Sequence, residues 1–412
     1  MIAETLDAIQ GWLRARRPEM ITFLRELIAI PSHDGEIGPV AAAVGRRLEA
    51  LGFDEIRYDA MGNLVGRVGT GPRVLLYDSH LDTVAVSDPA AWAWDPYAGK
   101  VEDDVVFGLG AGDEKGSTPP MVYALAALKA LGLTEGWTFY YFGNIEEWCE
   151  GLAARVLVER EGIRPDYVVV GESTNLDVYL GQRGRMEIHG VVRGRASHAS
   201  APERGVNAIA RALPLLGAIE ALGPRLGVDP VLGAATIAVT RVCAAAGSVN
   251  VIPDRCEFVV DRRLIRGETP ESALAQLRAL PEAEGAEFTV PSWTRPSYTG
   301  FSLPVPLVFP AWVTNPEHPL VAAGEAAVEY ALGRRPCRGR WLFSTNGVYW
   351  AGVAGIPTIG LGPGDEATAH TVLDQVPVHQ VWDAAEVYAV LPLLLRDAAP
   401  SRRGLATSMG DA

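Results

Sequence analysis

Cysteine is scarce in this chain. Its 412 residues hold four, Cys149, Cys243, Cys256 and Cys337, and no two of them form a CxxC pair. That spacing offers no disulfide framework and reads as the reduced thiols of a cytoplasmic protein. An excess of basic charge is also missing: 36 Lys and Arg face 50 Asp and Glu, a formal net charge of -14. A chain of that sign argues against nucleic acid or an anionic membrane as a partner. No apolar run approaches the roughly 20 residues that span a bilayer. The first 30 residues alternate charge and apolar character at helical spacing, without the unbroken apolar core of a signal peptide. Internal repeats and low-complexity tracts are absent too. What is there is an ordinary globular composition, 48% hydrophobic and 21% charged, over a length that exceeds one core. Two domains are expected.

The organising stretch is residues 74–84, VLLYDSHLDTV. Its first four residues form the apolar run of a buried parallel strand. Asp78, His80 and Asp82 follow at a spacing of two, which in extended backbone turns them to one side. Asp82 can then take one ring N–H of His80 while the other nitrogen faces a metal. A histidine after a strand is more often a hydrogen-bonded surface residue, but the pattern recurs. Residues 138–142 (TFYYF) lead to Asn144, Glu146 and Glu147; residues 167–170 (YVVV) lead to Glu172; residues 356–361 (IPTIGL) lead to His370. A fifth contribution is GLGAGDEKGS, with Asp113 in a glycine-rich turn before a helix at 119–131. Ligands of open α/β sheets bind beyond the carboxyl ends of the strands, so these residues converge on one crevice. Two histidines and several carboxylates there point to a metal site. The same glycine turn invites a dinucleotide reading, which fails because an aspartate stands where a pyrophosphate would be repelled.

Helices at 5–14, 18–29 and 38–51 and strands at 55–58 and 63–68 precede the organising strand, and helices alternate with strands as far as residue 180. The grammar then changes. Strands at 186–192, 235–243, 256–265 and 286–290 enclose helices at 207–222 and 270–280, the β-α-β-β-α-β order of a ferredoxin-like unit. The expected fold is therefore α/β: a mixed, mainly parallel sheet flanked by helices, with a ferredoxin-like domain inserted. The divisions are 1–182 plus 298–412 for a discontinuous domain that carries the metal-site strands and 183–297 for the inserted domain. His33 reads as a surface turn residue, His189 and His379 as structural, the latter in a late polar turn, and His318 as a loop residue. The small, polar tail from 401 reads as disordered.

The motifs SHLDTV, GLGAGDEKGS, NIEEWCEG, VVGES, GRASHAS, NVIP and TAHT resemble the zinc-dependent aminoacylase and carboxypeptidase family that includes acetylornithine deacetylase and succinyl-diaminopimelate desuccinylase. GQRGRMEIHG, SAPERGVNAI, DRRLIRGET and FSTNGV are most similar to a branch described as selenium-metabolism-linked hydrolases. The resemblance implies two Zn²⁺ ions, with Co²⁺ or Mn²⁺ as substitutes. It assigns one to His80, Asp113 and Glu172 and the other to Asp113, Glu147 and His370. It makes Glu146 the general base, and Asp82 the support of His80. It has His198 cross a dimer interface to the oxyanion, and has Asn250 and Arg263 contact a substrate carboxylate. A pairing of Arg263 with Asp261 stands beside that last role. Trp148 and Cys149 depart from the family's small or acidic residues after the acidic pair. They read as packing and a buried thiol. The implied activity is cleavage of the amide bond of a small carboxylate-bearing substrate by a homodimer. The alternatives are a dipeptidase or aminopeptidase on the same site, or a silent metal or small-molecule binder.

Overall fold

The computed structural model describes residues 2–33, 35–145, 147, 151–244 and 246–395. Glu146, Trp148, Cys149 and the tail from 401, on which expectations were placed, lie outside these.

Three helices open the chain: α1 (Ile2–Arg14), α2 (Arg17–Ile28) and α3 (Gly38–Ala50). Strands β1 (Glu55–Tyr58) and β2 (Leu64–Gly69) pair antiparallel. Then comes β3 (Arg73–His80), followed by α4 (Thr118–Ala130), β4 (Trp137–Asn144), α5 (Leu152–Glu159), β5 (Tyr167–Val170) and β6 (Val178–Gln182). β4 and β5 lie on either side of β3 and parallel to it. All four residues of β5 are buried, as expected of a β-branched run covered on both faces. Helix α4 has no polar face to offer, and every residue from Thr118 to Leu128 is buried. Its two prolines, Pro119 and Pro120, sit in the first turn, where no N–H is needed.

The inserted unit consists of β7 (Gly184–Arg193), α6 (Ala208–Leu222), β8 (Thr236–Cys243), β9 (Arg255–Leu264), α7 (Pro270–Arg278) and β10 (Ala286–Thr289). Its sheet runs β8-β9-β7-β10 with every neighbour antiparallel. Alternate residues of β7 and β9 point inward, and Met186, Ile188, Phe258 and Val260 pack with Ala212 and Leu215 of α6 in a core of their own. The chain returns through β11 (Trp312–Val313), α8 (Pro319–Leu332), β12 (Arg338–Trp341), β13 (Thr358–Gly360) and α9 (Val378–Leu394). The large sheet has the order β1-β2-β4-β3-β5-β13-β6-β11, with β12 added on β6. It is mixed, and its central strands β4, β3, β5 and β13 are parallel.

Two histidines differ from expectation. His379 lies in the first turn of α9 rather than in a late polar turn; Pro377 caps that helix, a position its fixed φ suits. His318 caps α8: its Nδ1 accepts the backbone N–H of Leu320 at 3.1 Å. His33 is half-buried beside Glu36, 3.6 Å away, and His189 bonds Glu187 at 2.9 Å. No helix among the described residues is long and apolar enough to cross a membrane.

Candidate active site

The central parallel strands end at one edge of the sheet, and the side chains singled out above are delivered there. His80 is the last residue of β3 and Glu172 follows β5 by two. Glu147 comes three residues after β4, and His370 lies in the loop between β13 and α9. Asp113 stands in the glycine turn before α4, and its peptide bond to Glu114 is cis. Asp113 Oδ1 lies 2.9 Å from His80 Nε2, and its other oxygen lies 3.2 Å from His370 Nε2, so one carboxylate spans both imidazoles. The same His80 nitrogen is 3.4 Å from Glu172 and 3.8 Å from Glu147. His80, Glu114 and Glu172 are buried, whereas His370 stays half exposed and holds a φ of 56°. A non-glycine residue in that conformation costs of order 1 kcal/mol, a strain the surrounding loop must hold.

The opposite ring nitrogen of His80 donates to the backbone carbonyl of Asp82 at 3.0 Å, with the Asp82 carboxylate at 3.4 Å. An acceptor there keeps the proton on Nδ1 and leaves the Nε2 lone pair facing the carboxylates. That arrangement is unfavourable without a proton or a cation between them. Accordingly the ring's pKa is raised despite burial, chiefly by Glu147 and Glu114 and further by Asp113 and Asp82. Burial, and then the neighbouring Glu172, push Glu147 and Glu114 well above the usual carboxylate range. Burial opposes ionisation of Asp113 too, yet hydrogen bonds from His370 and His80 outweigh it and hold that carboxyl low. No N–H and no hydroxyl donates to either oxygen of Glu172, to Glu147 Oε1 or to Asp82 Oδ2, and Glu172 has only the neighbouring Glu147 carboxyl as a hydrogen-bond partner. Buried carboxylate oxygens with vacant lone pairs, set around two imidazoles, are the donor set of a divalent cation site. The residues fit the metal that the motifs imply.

The turn carrying Asp113 is fastened from two sides. Lys115, buried and with its pKa lowered to about 7 by burial, donates to the carbonyls of Leu27 at 2.9 Å and Ile30 at 3.0 Å, at the end of α2. Asp374 accepts the N–H groups of Gly110 at 2.5 Å and Gly112 at 2.7 Å.

A cleft of about 420 Å³ opens beside the cluster, lined by Asp113, Glu147 and His370 on one side and by Arg185 and Arg263 of the inserted unit on the other. Arg263 reaches this cleft and also pairs with Asp261 at 2.6 Å, so its two expected partners are compatible. Arg262 points the other way, buried and bonded to Glu268. His198 and Asn250 lie together on an exposed edge, 3.5 Å apart, and the residues lining the cleft do not include them. Phe343, which opens the FSTNGV segment, lines the cleft, and so do Arg185, Phe309 and Glu366, which were not given site roles from sequence. Arg185 stands opposite Arg263 in the β7–β9 ladder, a pairing the sequence does not show, and two like charges facing each other across strands call for a shared anion. Asp261 supplies one, 2.8 Å from Arg185.

Residues 180–289 match the sequence pattern described as the peptidase dimerisation domain of the M20 group. Across 378 residues the chain is 41% identical to the protein YgeY of Escherichia coli K12, covering 91% of this chain and 94% of that one. The chain belongs to the M20 peptidase family. M20 relatives include succinyl-diaminopimelate desuccinylase of Methylocella silvestris, 28% identical over 90% of this chain and 96% of the relative. The fold also matches the YXEP protein of Bacillus subtilis, described as a dinuclear metal binding peptidase of the M20 family. That match has a TM-score of 0.68 and 15% identity, covering 93% of this chain and all of the other. The M20 chain described here is thus an enzyme, a metal-dependent amidohydrolase with an inserted dimerisation domain.

Proposed function

We propose that this M20 enzyme is a dizinc deacylase that cleaves the amide bond of a small carboxylate-bearing substrate such as an N-acyl amino acid. The observation that carries the reading is the bridging position of Asp113, 2.9 Å from His80 and 3.2 Å from His370, with Glu147 and Glu172 beside it. His80, Asp113 and Glu172 would hold one Zn²⁺, and Asp113, Glu147 and His370 the other. Bound there, the ions supply Lewis acidity, lowering the pKa of water and polarising the amide carbonyl. Glu146 takes the proton of the attacking water and passes it to the leaving nitrogen. Asp82 keeps the His80 ring in the tautomer whose lone pair faces the site. Arg263, with Asn250 contributing from a dimer partner, binds the carboxylate of the substrate, a task suited to a planar fork that stays charged.

Two chains would associate through the inserted domain, and the partner subunit's His198 would donate to the oxyanion as the amide carbon becomes tetrahedral. The exposed edge holding His198 and Asn250 supports this, since neither faces the cleft of its own chain. The organisation proposed is a catalytic unit of 1–182 plus 298–412 and an inserted unit of 183–297, in a cytoplasmic dimer. The two separate apolar cores support that division. GQRGRMEIHG and FSTNGV support placing the chain in the selenium-linked branch, which names no substrate.

A second reading, a dipeptidase, is favoured by Glu366. It lines the cleft with a buried, unpaired Oε2 suited to a free substrate amine. The deciding experiment measures zinc per chain and hydrolysis of a mixed panel of N-acyl amino acids and dipeptides. Two ions and turnover of the N-acyl set support the deacylase, turnover of dipeptides alone supports the second reading, and a chain that neither holds metal nor cleaves any amide refutes both.

A further inference from the structure

Asp78 and Glu114 are buried carboxylates outside the proposed ligand set that lie close to His80 and Glu172, and their surroundings differ. Asp78 has both oxygens occupied: Asn144 Nδ2 donates to one at 2.7 Å and Trp350 Nε1 to the other at 2.6 Å. It is a satisfied structural acid. Glu114, only 1% exposed, is not. Its Oε1 accepts the backbone N–H of His80 at 2.5 Å, and its Oε2 has no hydrogen-bond partner. His80, Glu114 and Glu172 each present a ligand atom within 4.8 Å of the other two.

A structural acceptor for the His80 N–H would explain Oε1, but that bond needs only one oxygen, and a neutral amide would serve it without burying an ionisable group. The second oxygen is the telling one. It is buried and has no partner, in a carboxylate that offers a ligand atom within 4.8 Å of one from Glu172 and one from His80. Two buried carboxylates at that separation are stabilised by a proton or by a cation between them, and the unpartnered oxygen is free to serve a cation.

We propose that Glu114 is an additional metal ligand: its Oε2 joins His80, Asp113 and Glu172 on one divalent ion, while its Oε1 is pinned by the His80 backbone. The inference rests on the metal reading of the site given above. A third carboxylate makes four protein ligands, richer in hard oxygen donors, and with the water of a catalytic site the ion would exceed the four ligands typical of zinc. The consequence is a shift in selectivity. This position takes Mn²⁺ more strongly, relative to Zn²⁺, than a His, Asp, Glu set alone would.

The test compares the metal-free full chain with its Glu114→Gln variant, titrating Mn²⁺ and Zn²⁺ separately against a chromophoric chelator. Ions per chain are counted by elemental analysis. Glutamine keeps an acceptor for the His80 N–H and nearly the same volume, so the comparison isolates the anion. We expect both proteins to hold the same number of ions. Mn²⁺ should bind about 10- to 100-fold more weakly to the variant, a loss of the size seen when a group supporting a metal site is removed. Zn²⁺ should weaken less. Unchanged affinities and an unchanged Mn²⁺ to Zn²⁺ ratio would overturn the proposal while leaving the metal reading intact. A wild-type chain that binds no ion would overturn both. If the variant does not fold, the visible spectrum of Co²⁺ in the wild-type chain decides. Weak absorption from the first ion bound, the mark of five or six ligands, supports Glu114 as a ligand, and the intense bands of a tetrahedral ion refute it.

Discussion

Asp374 accepts the backbone N–H of Gly112 at 2.7 Å, and so ties the segment that carries His370 to the turn that presents Asp113. The two residues are 262 positions apart in the chain. Both ends of the bridging carboxylate's surroundings are therefore set by one buried side chain. Asp374→Ala should strand the N–H groups of Gly110 and Gly112, at about 1–3 kcal/mol for each buried unpaired group. Urea unfolding of the metal-free protein measures the loss, and zinc titration should show weaker binding. Unaltered stability and affinity would mean that the turn holds itself.

Glu146→Gln should keep the fold and the metal while cutting turnover by at least about 100-fold, the low end for a positioned general base. The amide preserves shape but cannot take the proton. Near-normal turnover with bound zinc would remove Glu146 from the mechanism.

Cation binding should release protons. The pKa of His80 is raised mainly by Glu147 and Glu114, and that of Glu147 by burial and Glu172, so both groups keep their protons to higher pH than usual. Those protons must leave before a cation binds, so affinity should fall as pH falls. Calorimetry in buffers of different ionisation enthalpy reads the number released. A buffer-independent heat would contradict the assignment.

Arg263→Ala should impair cleavage of an acid substrate about 10-fold or more beyond its effect on the neutral amide analogue, since a charge-assisted bond is lost only with the former. Arg185→Ala should do the same more weakly, because it shares Asp261 with Arg263 across the ladder. Equal losses on acid and amide would leave both arginines as a structural pair around Asp261.

Heterodimers mixed from Glu146→Gln and His198→Ala chains should regain activity that neither homodimer has, since one of their two sites combines an intact base with an intact histidine. Sedimentation verifies the dimer. No gain on mixing would mean that His198 serves its own chain or none.

The central strands were legible because each is an apolar, largely β-branched or aromatic run that stops abruptly at a polar residue. β5 begins and ends where YVVV does. The five side chains that gather at the sheet edge each follow such a run or a glycine turn, so local pattern and strand direction were enough to bring them together. Glu114 and Asp374 were not legible in the same way. Glu114 is neighbour to Asp113 in sequence, but its burial beneath His80 depends on packing between segments 34 residues apart. Arg185 was passed over because its partner, Arg263, meets it only once the strand register is known. His379 shows the lesser error, a residue read into a polar turn that lies in the first turn of a helix capped by Pro377.

The two passages of the chain into and out of the inserted unit are neighbours. Trp312 pairs with Gln182 and Val313 with Gly181, and the same antiparallel run reaches Phe309 opposite Arg185. The intervening residues therefore leave and re-enter the large sheet at almost the same point, with no net displacement for that sheet to absorb. Loop-closure cost grows only slowly with the length enclosed, so the catalytic sheet is nearly indifferent to what lies between Gln182 and Trp312. Such a crossing is a ribbon rather than a pair of loose tethers. It resists shear along the strands and yields to twist, so reorientation of the inserted unit would swing Arg185 and Arg263 about the cleft as a body. The same geometry makes that unit a replaceable cassette, exchangeable without redrawing the register of the strands that present the metal ligands.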